Sequence, residues 1–191
     1  MRVIAGSARG RALRGPAETR RGEQPALRPT SDMIRGVIFG MLDAMGADYS
    51  RVLDLYAGTG ALGIEALSRG DGEADFIELD GAALDVIKAN LASTGFEGRA
   101  RVHKAAADRT IGRLTGPYTL ILADPPYGDE TALETIERIA ASALADAETI
   151  LVVEHHRRVA PPETIGGMRL YRTRRHGDTV VSIYDGKETQ A

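Results

Sequence analysis

The sequence predicts an α/β protein built on a mostly parallel sheet with helices on both faces. Three observations predict it. Short apolar runs at 51–55, 74–79, 101–104, 118–123 and 149–154 alternate with helical patterns, and repeated β-α units form parallel sheets. The first run feeds a glycine turn that opens a helix, Asp54-Leu55-Tyr56-Ala57-Gly58-Thr59-Gly60-Ala61-Leu62-Gly63. The last two runs, 168–175 and 179–184, flank His176-Gly177-Asp178, a hairpin signal that adds an antiparallel edge. The expected sheet therefore has seven strands.

Bulk properties bound the possibilities. A chain of 191 residues fits one domain with room for a small extension. Its 43% hydrophobic and 27% charged residues are ordinary for a water-soluble fold. With no cysteine it has no disulfide framework, thiolate metal site or thiol nucleophile. No apolar run approaches a membrane span, and arginines follow Met1-Arg2-Val3-Ile4 where a signal peptide would carry its apolar core. A cytoplasmic protein is the expectation. Net charge is −3, yet residues 1–35 hold eight arginines against Glu18, Glu23 and Asp32, a local +5 that leaves −8 for the remainder. A second basic cluster comprises Arg157, Arg158, Arg169, Arg172, Arg174 and Arg175. Such asymmetry suits an anionic partner, with a solubilising arm as the plainer reading.

Taken in order, residues 1–29 form a basic arm or hairpin. Arg2 to Ala5 and Arg11 to Leu13 read as short strands around a Gly6-to-Gly10 turn, and Gly15 to Pro25 as a mobile loop. Residues 30–186 form the main domain. Thr30 or Ser31 caps a first helix, whose stripe of Met33, Ile34, Val37, Ile38, Met41, Leu42 and Met45 reads as core. The strand at 51–55 and a helix at about 60–69 follow, ended by Gly70. The strand at 74–79 carries Glu78 near its end, and Asp80 is placed to cap the helix at 81–93. A short strand at 101–104 leads through Ala105-Ala106-Ala107-Asp108 to a brief helix near 108–114. The run at 118–123 is nearly all apolar, as a doubly covered central strand is. A helix at 131–144 and a strand at 149–154 precede the hairpin. Residues 185–191 read as frayed, and 187–191 as a tail outside the domain.

In an open α/β sheet, ligands bind beyond the carboxyl ends of the strands. Asp54, the 57–60 loop, Glu78, the 105–108 loop and Asp124 all fall there, so one crevice should hold them. Glycines at 58 and 60 let a ligand approach the backbone. Asp54 suits a cationic amino-acid moiety. Glu78, twenty-four positions after Asp54, suits ribose hydroxyls. Asp124-Pro125-Pro126-Tyr127 gives a stiff loop, because proline fixes φ and donates no hydrogen bond. The Asp124 carboxylate and the Pro125 carbonyl can accept from one exocyclic amine, while Tyr127 stacks on the base. The two motifs together point to S-adenosylmethionine and a target amino group. His103, His155, His156 and His176 show no metal-ligand spacing, and His155-His156 reads as surface or RNA-facing. No metal is expected.

The chain resembles the RsmD family of small-subunit (16S) ribosomal RNA guanine-N2 methyltransferases. The resemblance rests on Arg2-Val3-Ile4-Ala5-Gly6, Gly10-Arg11, Leu27-Arg28-Pro29-Thr30-Ser31-Asp32, Leu53 to Gly70, Phe76-Ile77-Glu78, Asp124-Pro125-Pro126-Tyr127 and Gly177 to Tyr184. It implies a Rossmann-like S-adenosylmethionine-dependent methyltransferase fold acting on ribosomal RNA within an assembling or assembled small subunit. Asp54, Tyr56, Ala57, Gly58, Thr59 and Gly60 would hold the cofactor's amino-acid end and Glu78 its ribose, with Leu79, Ala106 and Ala107 around the adenine. Asp124, Pro125, Pro126 and Tyr127 would form the catalytic loop. Arg9, Arg11, Arg28 and Arg35 would meet RNA phosphates. The family often has an acid or amide where Ala106 stands, so a backbone N–H of Ala106 or Ala107, or the Asp108 side chain, would meet the adenine. A monomer is the default expectation.

Three other readings stay open at this point. An adenine-N6 methyltransferase shares both motifs. A nicotinamide-dependent reductase uses the glycines but leaves Asp124 to Tyr127 without a role. A noncatalytic RNA-binding assembly factor needs no Asp124 at all.

Overall fold

The structure is a computed structural model that describes residues 1–15 and 32–187. Twelve helices and strands follow one another: α1 (Asp32–Met45), β1 (Arg51–Leu55), α2 (Ala61–Arg69), β2 (Glu73–Glu78), α3 (Gly81–Thr94), β3 (Ala100–Lys104), β4 (Leu120–Ala123), α4 (Ala132–Ala140), β5 (Ile150–His156), β6 (Thr164–Ile165), β7 (Met168–His176) and β8 (Thr179–Asp185). All strands join one sheet in the order β3-β2-β1-β4-β5-β8-β7-β6. The first five in that order run parallel, and β8, β7 and β6 pair antiparallel. The seven expected strands are present; the eighth, β6, is two residues long, too short for a periodic signal. Chain order reverses between β1 and β4, which places the topological switch point at the ends of those two strands.

Side chains alternate along each strand and feed two cores. Val52, Phe76, Leu120, Val152 and Ile183 pack on one face with Ile34, Ile38, Phe39 and Leu42 of α1, Leu62, Ile64 and Leu67 of α2, and Ile87 of α3. Leu53, Leu55, Ile77, Ile121, Leu151 and Tyr184 pack on the other with Ile136 and Ile139 of α4. The α1 stripe is narrower than expected. Met33 and Val37 stand exposed, because only the 34/35, 38/39 and 42 positions face the sheet. The 108–114 helix shrinks to a single turn at Ala107–Arg109, and α4 stops at Ala140.

The expected N-terminal hairpin is present, with Arg2 bridged to Ala12. It is docked on the domain. The Glu65 carboxylate of α2, 1% exposed, accepts the Ile4 and Ala5 N–H groups at 2.8 and 3.0 Å. The Arg69 guanidinium neutralises it at 2.9 Å. Ser68 Oγ accepts the Ala8 N–H at 3.0 Å. Gly6 lies at φ +80, where a Cβ would sit 1.7 Å from the Ser68 carbonyl oxygen, so only glycine fits that approach. Asn90 of α3, fully buried, accepts the Arg14 N–H at 2.7 Å and donates to the Thr59 carbonyl at 2.9 Å. One amide thus ties the arm to the glycine loop. The loop expected from Gly15 to Pro25 and the Thr30/Ser31 cap fall, apart from Gly15, outside the described residues, as do the final four positions.

Glu65→Ala should cost about 3 kcal/mol, because it leaves two backbone donors and the Arg69 charge without their shared acceptor. The urea midpoint measures this. A midpoint shift equivalent to less than about 0.5 kcal/mol would mean the arm contributes nothing to the fold.

Candidate active site

The site lies at the carboxyl ends of β1, β2 and β4. β1 ends in Asp54-Leu55, and Tyr56 then turns the chain at φ 59. Among the described residues it is the one non-glycine with positive φ, a conformation that costs energy and collects at functional turns. Gly58 and Gly60 follow at φ 55 and 75, and α2 begins at Ala61. Two carboxylates hold this loop. Asp54 Oδ2 accepts the Gly63 N–H at 2.8 Å from beneath. Glu78 Oε2 accepts the Gly58 N–H at 2.7 Å, while its Oε1 accepts the Leu79 and Asp80 N–H groups at 2.8 Å. Gly63 has to be glycine for a packing reason, since a Cβ would lie 2.4 Å from the Phe76 ring.

Asp54 is 1% exposed, so its main contact is the loop's own backbone. Burial pushes its carboxyl well above the ordinary range, the Gly63 N–H opposes that shift, and the charges of Asp124 and Glu78 add to it. Three acids therefore converge on one strand edge.

Beside them opens a cavity of about 500 Å³. Tyr56, Glu78, Leu79, Ala106, Ala107, Asp124 and Pro126 line it together with Asp108, whereas Asp54, Pro125 and Tyr127 lie outside the lining. Ala57, Gly58, Thr59 and Gly60 form the adjoining loop and lie outside this lining; Thr59 is buried, its carbonyl held by Asn90. The other wall escaped the sequence reading. Thr131, Glu134, Thr135 and Arg138, with Asp129 before them, come from the start of α4. Their spacing of i, i+3, i+4 and i+7 marks one polar helix face, a signal overshadowed by the apolar stripe opposite. Burial and the Asp129 charge push the Tyr56 phenol on the facing side up to about 12, so that phenol stays protonated at neutral pH. Five carboxylates against one guanidinium give the cavity a field suited to a cation.

At the rim, Pro125 is buried while Pro126 and Tyr127 are exposed. The Tyr127 hydroxyl lies 2.6 Å from Thr179 Oγ1 of β8, and its ring meets His156 edge-on at 5.6 Å. His155 is not on the surface. It is 7% exposed, with Nε2 2.8 Å from Ser182 Oγ, and burial lowers its pKa. The expected RNA arginines divide. Arg9 and Arg11 are exposed on the hairpin, and Arg28 lies outside the described residues. Arg35 is fully buried and donates to the Arg2 carbonyl at 2.5 Å and to Asp32 at 2.8 Å. It joins α1 to the hairpin, and its guanidinium is not presented to an outside phosphate. Among the described residues no His, Cys, Asp and Glu cluster has metal-binding geometry.

The raised Asp54 pKa makes a pH prediction. The folded protein holds a proton that the unfolded chain releases near the usual 3.8, so this group's contribution to stability falls as pH rises from there through the native pKa. Asp54→Asn removes that loss while keeping an acceptor for Gly63. Urea unfolding across pH should show the variant gaining on the wild type above about pH 4, then levelling off. A gap that stays constant with pH contradicts the assignment.

Comparison with known proteins agrees with this geometry. The family described as Conserved hypothetical protein 95 matches residues 1–185. The Bacillus subtilis protein named "Putative rRNA methyltransferase YlbH" is 37% identical over 188 residues, covering 96% of this chain and 98% of that protein. The Escherichia coli K12 protein named Ribosomal RNA small subunit methyltransferase D is 32% identical over 184 residues, covering 96% and 89%. A Salmonella paratyphi B protein named tRNA1(Val) (adenine(37)-N6)-methyltransferase is 32% identical over 123 residues, covering 62% and 50%. Among solved structures, the Escherichia coli "Putative methyltransferase yhhF" superimposes with a TM-score of 0.80 at 31% identity, covering 99% of each chain. With a switch-point crevice, a carboxylate-held glycine loop and an Asp-Pro-Pro-Tyr rim, the chain belongs to the family described as Conserved hypothetical protein 95, the RsmD family of methyltransferases.

Proposed function

We propose that this methyltransferase transfers the methyl group of S-adenosylmethionine to the exocyclic N2 amine of a guanine in small-subunit ribosomal RNA. The observation that carries the proposal is the Asp124-Pro125-Pro126-Tyr127 loop, which closes β4 at the mouth of a cavity rich in carboxylates. The acidic lining fits a sulfonium cation and opposes the pyrophosphate of a dinucleotide, which argues against the reductase. Glu78 has an oxygen on the Gly58 N–H where ribose hydroxyls would be received. Leu79, Ala106, Ala107 and Asp108 surround the place for an adenine, and Asp108 supplies the polar side chain that Ala106 does not. Tyr56 to Gly60 would take the amino-acid end, with Asp54 acting through the loop it supports. When bound, the cofactor supplies an electrophilic methyl group.

The protein's part is positioning and charge. Asp124 and the Pro125 carbonyl accept the two N–H bonds of the target amine and turn its lone pair toward the cavity. As the amine gains a carbon its nitrogen becomes cationic, and the Asp124 carboxylate stabilises that charge. Loss of one proton, to Asp124 or to water, completes the transfer. Tyr127, braced by Thr179 and His156, stacks on a base swung out of its helix. The names of the Bacillus and Escherichia relatives support a ribosomal RNA substrate. An assembling or assembled small subunit, a monomeric enzyme and the cytoplasm complete the proposal. The adenine-N6 alternative draws on the Salmonella relative, which shares about two thirds of this chain.

The test is transfer from labelled S-adenosylmethionine to small subunits of a strain lacking the enzyme, followed by mass spectrometry of the nucleosides. N2-methylguanosine is expected, and Asp124→Ala should lower its rate at least about 100-fold. N6-methyladenosine would establish the alternative. Full activity of Asp124→Ala would remove the loop from the chemistry.

A further inference from the structure

We propose that the β7–β8 hairpin is an RNA-docking surface on which Arg172 and Arg174 hold the phosphate backbone beside the target base, with Arg175 bracing the hairpin tip. The inference rests on the RNA methyltransferase reading above and adds the surface that reading lacks.

Topology puts the hairpin tip at the active site. β8 runs antiparallel to β5, so Thr179 stands opposite His156 at the carboxyl edge of the sheet. The tip is tied to that edge at three points. Tyr127 of the catalytic loop meets Thr179 at 2.6 Å, Arg157 N–H donates to the Asp178 carbonyl at 2.8 Å, and the Arg157 guanidinium pairs with the Asp178 carboxylate at 2.7 Å. From that tip β7 runs away from the cavity mouth. At about 3.3 Å per residue, Arg175, Arg174 and Arg172 lie within roughly 15 Å of His176 at its end. A chain of phosphates entering the site would pass along this strand.

The strand is built to meet something. Tyr171 to His176 are all exposed, and β6 pairs only with Met168 and Arg169, so the outer edge of β7 beyond them has no strand neighbour among the described residues. Edge strands often carry a charge to block aggregation, and a single arginine would serve that purpose. Here three stand together in a protein of net charge −3. Among the described residues no carboxylate lies within ion-pair distance of Arg172, Arg174 or Arg175, whereas Arg157 at the tip and Arg101 at the far end of the sheet both have one. Arg169 stands opposite Asp185 and is left out of the row. Arg172 and Arg174 share a face, opposite Ile183 and Val181, about 6.6 Å apart along the strand, so both can face one phosphate backbone. Arg175 faces the other way and braces the tip, donating from Nε to the Gly177 carbonyl at 3.0 Å. Tyr171, half exposed, lies under the Arg172 guanidinium at 5.5 Å from its ring centre. An aromatic ring beside arginines is the composition of a nucleic-acid stacking surface. An acidic protein partner would satisfy the charges but gives the ring no flat face to stack on.

The experiment compares wild type, the triple variant Arg172→Ala, Arg174→Ala, Arg175→Ala, and the triple arginine-to-lysine variant. Binding to fluorescently labelled small-subunit ribosomal RNA is followed against salt, methyl transfer to unmodified small subunits gives KM, and calorimetry gives cofactor affinity. The alanine variant should bind cofactor as wild type does, raise KM for the RNA at least tenfold, and lower the slope of log affinity against log salt by about 2, near one unit per lost phosphate contact. The lysine variant should restore most of the slope. An unchanged slope and KM, with wild type active, overturns the hairpin proposal and leaves the function standing. A raised KM on particles with an unchanged slope on naked RNA overturns it in favour of a protein contact. A wild-type enzyme that binds and methylates no RNA overturns both readings.

Discussion

The glycine loop keeps its shape because two carboxylates anchor it, Glu78 by taking the Gly58 N–H and Asp54 by taking the Gly63 N–H in the first turn of α2, the helix the loop opens. A loop with left-handed residues at Tyr56, Gly58 and Gly60 has no regular ladder to satisfy its donors. Without these acceptors those N–H groups would be left to water or unpaired. Each carboxylate is borne by a strand that the sheet fixes, β1 or β2, so the rigidity of the parallel sheet passes directly to the loop. The same arrangement gathers Asp54, Glu78 and Asp124 at one edge, and burial, with the charges of Asp124 and Glu78 adding to it, holds the Asp54 pKa well above the ordinary carboxyl range. Stability is given up at this edge.

Around that loop the molecule is divided by charge. The cavity holds Glu78, Asp108, Asp124, Asp129 and Glu134, whereas the exposed N-terminal hairpin carries Arg9 and Arg11 and the edge strand carries Arg172, Arg174 and Arg175. Under the proposed function a small cation would be drawn inward and a polyanion held at the rim, and methyl transfer to a nucleic-acid amine would need both at once.

Much of this was legible in the sequence because it is written in local rules. The β-α alternation, the glycine turn, Glu78 at a strand end and Asp124-Pro125-Pro126-Tyr127 each follow from neighbours within a few positions. The residues that escaped depend on tertiary placement. Arg35 sits in an arginine-rich segment and reads as a phosphate contact, yet the fold turns it inward to join α1 to Arg2. His155 looks like a surface residue beside His156, but strand alternation buries one and leaves the other at the rim. Glu65 and Asn90 look like ordinary helix residues. Only the docking of the first fifteen residues shows that they fasten the arm to α2, α3 and the loop. The polar face of α4 becomes a cavity wall solely because α4 follows the catalytic loop.

The N-terminal hairpin gives the last step of the argument. Glu65 and Ser68 hold mainly its backbone, with the Ser7 hydroxyl adding one bond to the Ser68 carbonyl, so the conformation of residues 4–8 is fixed chiefly through main-chain groups. Asn90 then couples the end of the segment to the Thr59 carbonyl. An RNA held by Arg9 or Arg11 would therefore pull on an element that is rigidly joined to the glycine loop. The β7–β8 hairpin, on the opposite flank, is joined to the catalytic loop through Tyr127 and Thr179. Four side chains, Glu65, Asn90, Tyr127 and Thr179, thus join the two basic elements to the glycine loop and to the Asp124–Tyr127 loop, so under the proposed function one polyanion spanning both elements would bear on both loops at once.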